Sequence, residues 1–521
     1  MDYYREVMTD DPFRRNQRDR PGEYADEADK GDLFGLRRRP RHLRVLLDRD
    51  SLGEPTNAED LEAQRVLNAL LSKHEPVDTL VVDMSKINDP DDESDRTPNV
   101  VHLRDYTDQK GWSSYPGPQY GYRIVFGGKS RTRETHGNIS PQPQLFQNLF
   151  GFAEDRGTKL AEVTAEDVSR HVVLTQLGRQ VADIVVSESA VARRSDVPAN
   201  HEANVFTRAQ AIPIIAHYLR TQQIYLMHPV YNEFAANRQT WYHSAVYAMA
   251  PGITYWEAKA DYVIQRQYKS DCSEMIGRLI RAVKAWDDLR FHLGALQTLD
   301  TYDDVADCVD RILWSLCGAV DVIARSLHRA LQLPGTDRNA KFHGGWYTAH
   351  FRPNYSQAAG IANVDATQAA LSTVFKLRNT IHSQSLRAVG ALTEPAPYVG
   401  KEHGRVQLLI PHDVYNEIDA TQRARWGFEE VAPGAALPAA ADLATVATAA
   451  LDAVLSFLDQ LCWMTSFEGM QGKDDVLKLD VFTVVKDGRE MAAMIRRLIG
   501  FTATESQALG ISYSTEWAVD R

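Results

Sequence analysis

The sequence predicts an α/β N-terminal domain on a mostly parallel sheet, followed by an all-α helical bundle with a small β insertion. Three observations lead there. Between His42 and about residue 250, short apolar runs that end in acid alternate with amphipathic stretches. From about Trp256 onward nearly every segment has helical periodicity. The chain of 521 residues, 44% apolar and 25% charged, is long enough for more than one core and needs neither disulfide nor metal to hold it.

Residues 1–41 are rich in Asp, Glu, Arg, Gly and Pro and read as an extended arm with little to bury. The arm ends in Arg37-Arg38-Arg39-Pro40-Arg41, a solvated lead-in to the first strand or a phosphate contact. Leu43–Asp48 and Asp78–Asp83 are β-rich runs, and Leu61–Leu71 between them is an amphipathic helix. Strand, helix and strand at this spacing predict a β-α-β unit with parallel strands. The polar segment 88–118 reads as a loop, Tyr122–Phe126 as a strand, and Gly127-Gly128 as a turn.

Thr164-Ala-Glu-Asp167 is a capping-box signature, so a helix is expected from there to about Gln180. The strand Ala182–Ser187 follows, then helices over Phe206–Gln222 and Trp241–Met249. These elements make up an α/β domain over 42–250.

The helical bundle is expected over 251–465, with long amphipathic stretches at Ser273–Leu299, Asp303–Leu333, Asp365–Val389 and Asp442–Met464. An aromatic linker at 334–362 carries His343 and His350, seven apart; it reads as a loop packing on the bundle by its aromatics, the alternative being that the two histidines are metal ligands. Arg405–Ile410 is one strand of an insertion. A C-terminal α/β extension, 466–521, holds a strand at Val476–Val485 and a helix at Glu490–Ile499.

The net charge of −12 excludes a grip on nucleic acid by bulk charge, and leaves room for a local basic groove. Cys272, Cys308, Cys317 and Cys462 form no C-x-x-C pair and read as reduced core thiols, which fits a cytoplasmic protein. There is no run of about 18 apolar residues, and the start lacks the apolar core of a signal peptide; no membrane span is expected. P-loop, G-x-G-x-x-G, H-E-x-x-H and G-x-S-x-G patterns are absent.

Within the third long helix lies Lys376-Leu-Arg378-Asn379-Thr-Ile-His382-Ser383. Arg378 and His382 are four apart, so a continuous helix puts both on one face. Such a pair can hold a phosphate with the guanidinium and move a proton with the imidazole near neutral pH. The segment, with the helices around it over roughly 270–465, resembles the HEPN domains, four- or five-helix bundles with an R-x-x-x-x-H motif often written Arg-Asn. Here His382 is one residue closer than in that motif, and Ser383 stands at the family's His position. The resemblance implies metal-independent RNA cleavage by a homodimer, with Arg378, Asn379 and His382 as catalytic residues and no cofactor in this half. Chains of this kind are typical of bacterial toxins and phage defence. The other reading of the motif is an Arg-Asn pair that ties helices together in a non-catalytic dimerisation, RNA-binding or protein-binding module.

The α/β half offers carboxylates near strand and helix ends: Asp48, Asp50, Asp83, Asp167, Asp183 and Glu188. Parallel strands gather such side chains at the carboxyl edge of a sheet. Converging there, they can hold Mg²⁺ or Mn²⁺ for phosphodiester hydrolysis. The order of these elements over 42–220 resembles a PIN-type nuclease domain, which implies Asp48, Asp50, Asp167, Asp183 and Glu188 as metal ligands. The alternative is a cap at Asp167 and solvated loop acids elsewhere.

Overall fold

The computed structural model describes residues 43–55, 57–72, 76–86, 99–105, 119–126, 133–139, 164–193, 205–228, 233–235, 237–262, 266–293, 299–381, 386–395, 404–430, 439–465 and 489–500. The expected arm, the Val476–Val485 strand and His382 lie outside them.

Seven strands form one mixed sheet: β1 (Leu43–Asp48), β2 (Val77–Val82), β3 (Val100–Asp105), β4 (Tyr120–Phe126), β5 (Arg133–Ile139), β6 (Ile184–Val186) and β7 (Val205–Phe206). Their order is β5-β4-β3-β2-β1-β6-β7, and β8 (Leu226–His228) and β9 (Glu233–Phe234) form a separate antiparallel pair. Five neighbouring strands, β3, β2, β1, β6 and β7, run parallel, as the sequence predicts, and β4 and β5 add an antiparallel edge. Strand β3 falls inside the segment read as a loop. Its apolar content is only Val100, Val101 and Leu103, too short a run to stand out between polar flanks.

The strands are buried on both faces. Val45, Val77, Ile184, Val186 and Phe206 pack with helices α1 (Ala58–Leu71) and α3 (Arg208–Thr221). Leu46, Leu80, Val82, Val101 and Val185 pack with α2 (Ala165–Val181). Consecutive side chains on a strand point to opposite faces, so a parallel strand covered on both sides reads as a continuous apolar run. Caps fix the helix starts. Asn57 accepts the Asp60 amide of α1, and Thr164–Asp167 and Thr207–Gln210 form capping boxes on α2 and α3.

The helical region comprises α4 (Arg238–Met249), α5 (Gly252–Tyr262), α6 (Arg266–Leu293), α7 (Leu299–Ala330), α8 (Ile361–Thr380), the short α9 (His412–Glu417) and α10 (Ala420–Arg425), α11 (Leu443–Met464) and α12 (Arg489–Ile499). Helices α6 and α7 pair along their length, and α11 packs against α5, α6, α7 and α8. Helix α11 has the length and hydropathy of a membrane span, yet 83% of that window is buried inside the protein. A helix apolar all round belongs in a core or a bilayer, and this one has a core around it.

The third long helix is shorter than the sequence suggests. It ends at Thr380, and Arg387–Pro395 is strand β10 rather than a helical turn. Strand β10 pairs with β11 (Gly404–Ile410), and β13 (Ala439–Asp442) and β12 (Glu429–Glu430) complete a four-stranded antiparallel sheet. No Pro or Gly between 361 and 389 marks the break. A Cβ at Gly390 would lie 2.2 Å from the Tyr302 hydroxyl, so β10 runs hard against α7.

From Leu43 onward the chain packs as one compact unit, and its main core runs from Leu43 through α11 to Ile499. The expected bundle and the α/β domain therefore share a core. Asp287 of α6 ties them. Arg220 of α3 grips it with two bonds of 2.8 Å, Tyr242 of α4 donates to it at 2.7 Å, and His217 and Arg290 also contact it. The same two guanidiniums donate to the last carbonyls of α12, Leu498 (2.7 Å) and Ile499 (2.6 Å). The cations hold the Asp287 carboxyl well below the usual range, against its burial.

Removing Asp287 strands two buried guanidiniums. Asp287→Ala is expected to cost about 3–5 kcal/mol in urea unfolding, and Tyr242→Phe about 1 kcal/mol. Wild-type midpoints for both would show that the knot contributes nothing to stability.

Candidate functional site

Two places gather the predicted residues. The first is the carboxyl edge of the main sheet. The chain leaves β1 toward β2 and β3 on one side and returns through β6 and β7 on the other. The crevice between β1 and β6 is therefore the switch point at which open α/β sheets build sites. Asp48 ends β1, and Ser187 and Glu188 follow β6.

Asp48 is fully buried there, and both its oxygens are taken. Arg170 of α2 donates to Oδ1 at 2.5 Å and Ser187 Oγ to Oδ2 at 2.8 Å. The same Arg170 nitrogen lies 3.4 Å from Asp50. Asp50 accepts the Ser85 amide at 2.7 Å. Burial, aided by a hydrogen bond with Asp83, pushes the Asp50 carboxyl above its usual range. Glu188 accepts the Arg208 amide (2.8 Å) and Arg193 Nε (3.1 Å), and its own amide donates to Ser51 Oγ at 2.9 Å.

The structure thus brings Asp48, Asp50, Asp83 and Glu188 to one edge. Asp167 is also there, one turn before Arg170, but its carboxylate is the helix cap: it accepts Thr164 N at 3.1 Å and Thr164 Oγ1 at 2.7 Å, which lowers its pKa. Asp183 is at the opposite edge, bonded to the Arg44 amide at 2.8 Å. Four residues of strand, about 13 Å, separate its level from Asp48. This donor set does not fit a divalent cation. Arg170 already stands as the positive charge between Asp48 and Asp50, and no three His, Cys, Asp or Glu side chains among the described residues are placed to share an ion.

Next to Arg170 in the chain, His171 is fully buried, with no hydrogen-bond partner at either ring nitrogen among the described residues. Burial pulls its pKa down to about 4, against the attraction of Asp48. The residue is a neutral core histidine.

The second place is a cleft of about 140 Å³ between α6, α7 and α8. Arg378 of α8 reaches it with its guanidinium carbon 5.1 Å from the Trp314 ring centre, and it donates to Asn379 Oδ1 at 3.1 Å. Arg278 of α6 and Arg325 of α7 line the same cleft. The Arg278 side chain crosses Gly318 so closely that a Cβ there would be 2.2 Å from Nη1. Arg278 is paired with Glu274 at 2.8 Å, and the cleft carboxylate, Asp321, is paired with Lys341 at 2.6 Å. Three arginines therefore line the cleft with one carboxylate, Asp321. The Arg378–Asn379 bond joins neighbours on one exposed helix turn, so it does not itself tie two helices together.

The aromatic linker packs as expected: Phe342, Trp346, Tyr347 and Phe351 are buried, and His343 stacks on Phe375 at 3.7 Å. All four cysteines are buried and unpaired, and burial pushes the Cys308 thiol up to about 11.

Arg170, Arg278, Trp314 and Arg325 escape sequence reading. Nothing local marks Arg170 or Arg278. The others had a signal: Trp314, Gly318, Asp321 and Arg325 recur at helical spacing, off the apolar stripe of α7 that holds Val309, Ile312, Leu316 and Val320. No protein-family model, no curated protein and no solved structure matches this chain.

The neutral His171 makes stability depend on pH. Its folded pKa is below the unfolded 6.5, so the unfolded chain binds the extra proton. The stability it carries is complete above about pH 6.5 and is lost as pH falls toward 4. Between about pH 7.5 and pH 5, wild type should lose about 2 kcal/mol more than His171→Leu in urea unfolding. Parallel pH profiles for the two proteins would contradict the assignment.

Proposed function

We propose that the helical half acts on RNA, as a ribonuclease of the HEPN type that needs no metal. The observation that carries this reading is the company of Arg378. It lines an open cleft with Arg278, Arg325 and an exposed tryptophan, in a protein whose net charge is −12. Guanidiniums match phosphate oxygens in pairs, and a local excess of them attracts a polyanion that the protein as a whole repels.

In this reading Arg378 holds the scissile phosphate and neutralises the charge that grows on it, with Asn379 fixing the guanidinium. The ribose 2′-hydroxyl attacks phosphorus, the 5′-oxygen of the next nucleotide leaves, and a 2′,3′-cyclic phosphate results. His382, which follows α8 by two residues and Arg378 by four in the sequence, is assigned to move the proton between these oxygens. The strand-end cluster of the α/β half takes no part in the chemistry. Arg170 holds its carboxylates in place there.

Purified protein incubated with a mixed RNA pool tests this. Cleavage is expected to survive EDTA, to leave cyclic phosphate ends, and to disappear in Arg378→Ala, while His382→Ala slows it by about 10²–10⁴-fold. Cleavage that EDTA stops, and that Asp48→Asn abolishes, would move the chemistry to the sheet edge. RNA bound but uncut would leave a binding module.

A further inference from the structure

His343 belongs to the aromatic linker, yet three contacts fix it against α7 and α8. Its ring stacks on Phe375 of α8, with centres 3.7 Å apart and planes 20° from parallel. Two residues earlier, Lys341 is bonded at 2.6 Å to Asp321 of α7. Between them, the Phe342 carbonyl accepts Gln368 Nε2 of α8 at 2.8 Å. A side chain held by its backbone and by its ring plane has little freedom left to lose when a ligand arrives.

Phe375 precedes Arg378 by three residues on α8, so the two share one helical face. His343 therefore stands beside the guanidinium assigned to the scissile phosphate. The charged groups that act on its ring are Asp321 of α7, Lys341 of the linker and Arg378 of α8. Its Nδ1 is buried and has no hydrogen-bond partner among the described residues, while the residue as a whole is half-buried. Protonating the ring would add charge beside two cations and bury an N–H without an acceptor. Burial pulls the His343 pKa below its usual range, Asp321 opposes this, and Lys341 and Arg378 add to it. The imidazole is thus kept in the neutral form, which accepts a proton.

Attack by a 2′-hydroxyl moves two protons at two places. The attacking oxygen loses one as it reaches phosphorus, and the departing 5′-oxygen gains one on the opposite side. An imidazole beside one of these oxygens is badly placed for the other. In the sequence, His382 follows Arg378 by four residues, and Phe375, on which His343 stacks, precedes it by three. We propose that His343 is the catalytic base of the helical half: its imidazole takes the 2′-hydroxyl proton while that oxygen bonds to phosphorus, and His382 gives a proton to the 5′-oxygen as its bond to phosphorus breaks. Each turnover leaves His343 charged and His382 neutral, and exchange with water resets both. This rests on the reading of the helical half as a metal-independent ribonuclease, and it adds a residue from a separate segment of the chain, outside the Arg378–His382 motif.

The full chain is given two substrates, an oligoribonucleotide with ordinary linkages and the same oligomer with sulfur as the 5′ leaving atom. A thiolate departs without a proton, so sulfur removes the need for an acid and leaves the need for a base. His343→Gln is expected to slow both substrates by about 10²–10⁴-fold. His382→Ala should be slow on oxygen and near wild type on sulfur. The wild-type rate should rise with pH through a limb below about pH 6.5, because the base works only when neutral, and His343→Gln should lack that limb. His343→Phe keeps a ring on Phe375, so it should melt with wild type and still be as slow as His343→Gln.

Cleavage that His343→Gln leaves unchanged, or slows with the acid limb intact, would overturn the base and leave the ribonuclease reading standing. A His343→Gln rate that sulfur restores would make His343 the acid, and overturn the assignment. No cleavage of either substrate by wild type would remove the ribonuclease reading, and the base with it.

Discussion

Asp287 is the point on which the two halves of this protein meet. Its carboxylate receives Arg220 from the helix that covers the sheet, Arg290 from its own helix and Tyr242 from a third. Burying one carboxylate and two guanidiniums is costly, and the cost is recovered only if each donor and acceptor is matched. Here the matching extends to the carbonyls that end α12, so a helix terminus, a sheet layer and the long helix pair share one network. Such a network fixes geometry more than it adds stability. It sets how α6, and with it the wall of the arginine cleft, is held against the α/β layer.

Much of the architecture was legible because it is written in periodicity. Continuous apolar runs such as Val45 to Leu47 announced buried parallel strands, and the Thr164–Asp167 box announced the start of α2. Where the reading stopped short, a tertiary contact had decided the matter. Nothing local in Arg387–Val389 opposes a helix, yet these residues pair with β11 as a strand, and Gly390 beside them packs on Tyr302. A shared core between the halves was equally invisible, since the chain shows no composition change where one ends and the other begins.

The sites were legible by residue type and not by partnership. Asp48, Asp50 and Glu188 do come to one edge, as parallel strands require, while the strand order that puts β6 beside β1 was needed to say so. The arginine that settles their charge comes from a helix 120 residues away. Arg378 was found by its motif. Its neighbours were not, because a cleft is a property of three helices and a motif belongs to one. The 4-3-4 spacing of Trp314, Gly318, Asp321 and Arg325 shows the kind of second stripe that a search for apolar faces alone passes over.

The bond from Arg220 to the carbonyl of Leu498 spans 278 residues of chain. A ribosome emits a chain from one end, so the helix carrying Arg220 is finished long before its partner exists. Until α12 arrives, the faces of α3 and α4 that it covers must wait, solvated or shielded by something else. Contacts of such long range also make the loop-closure entropy large and folding slow. The network around Asp287 therefore closes only once synthesis has passed α12.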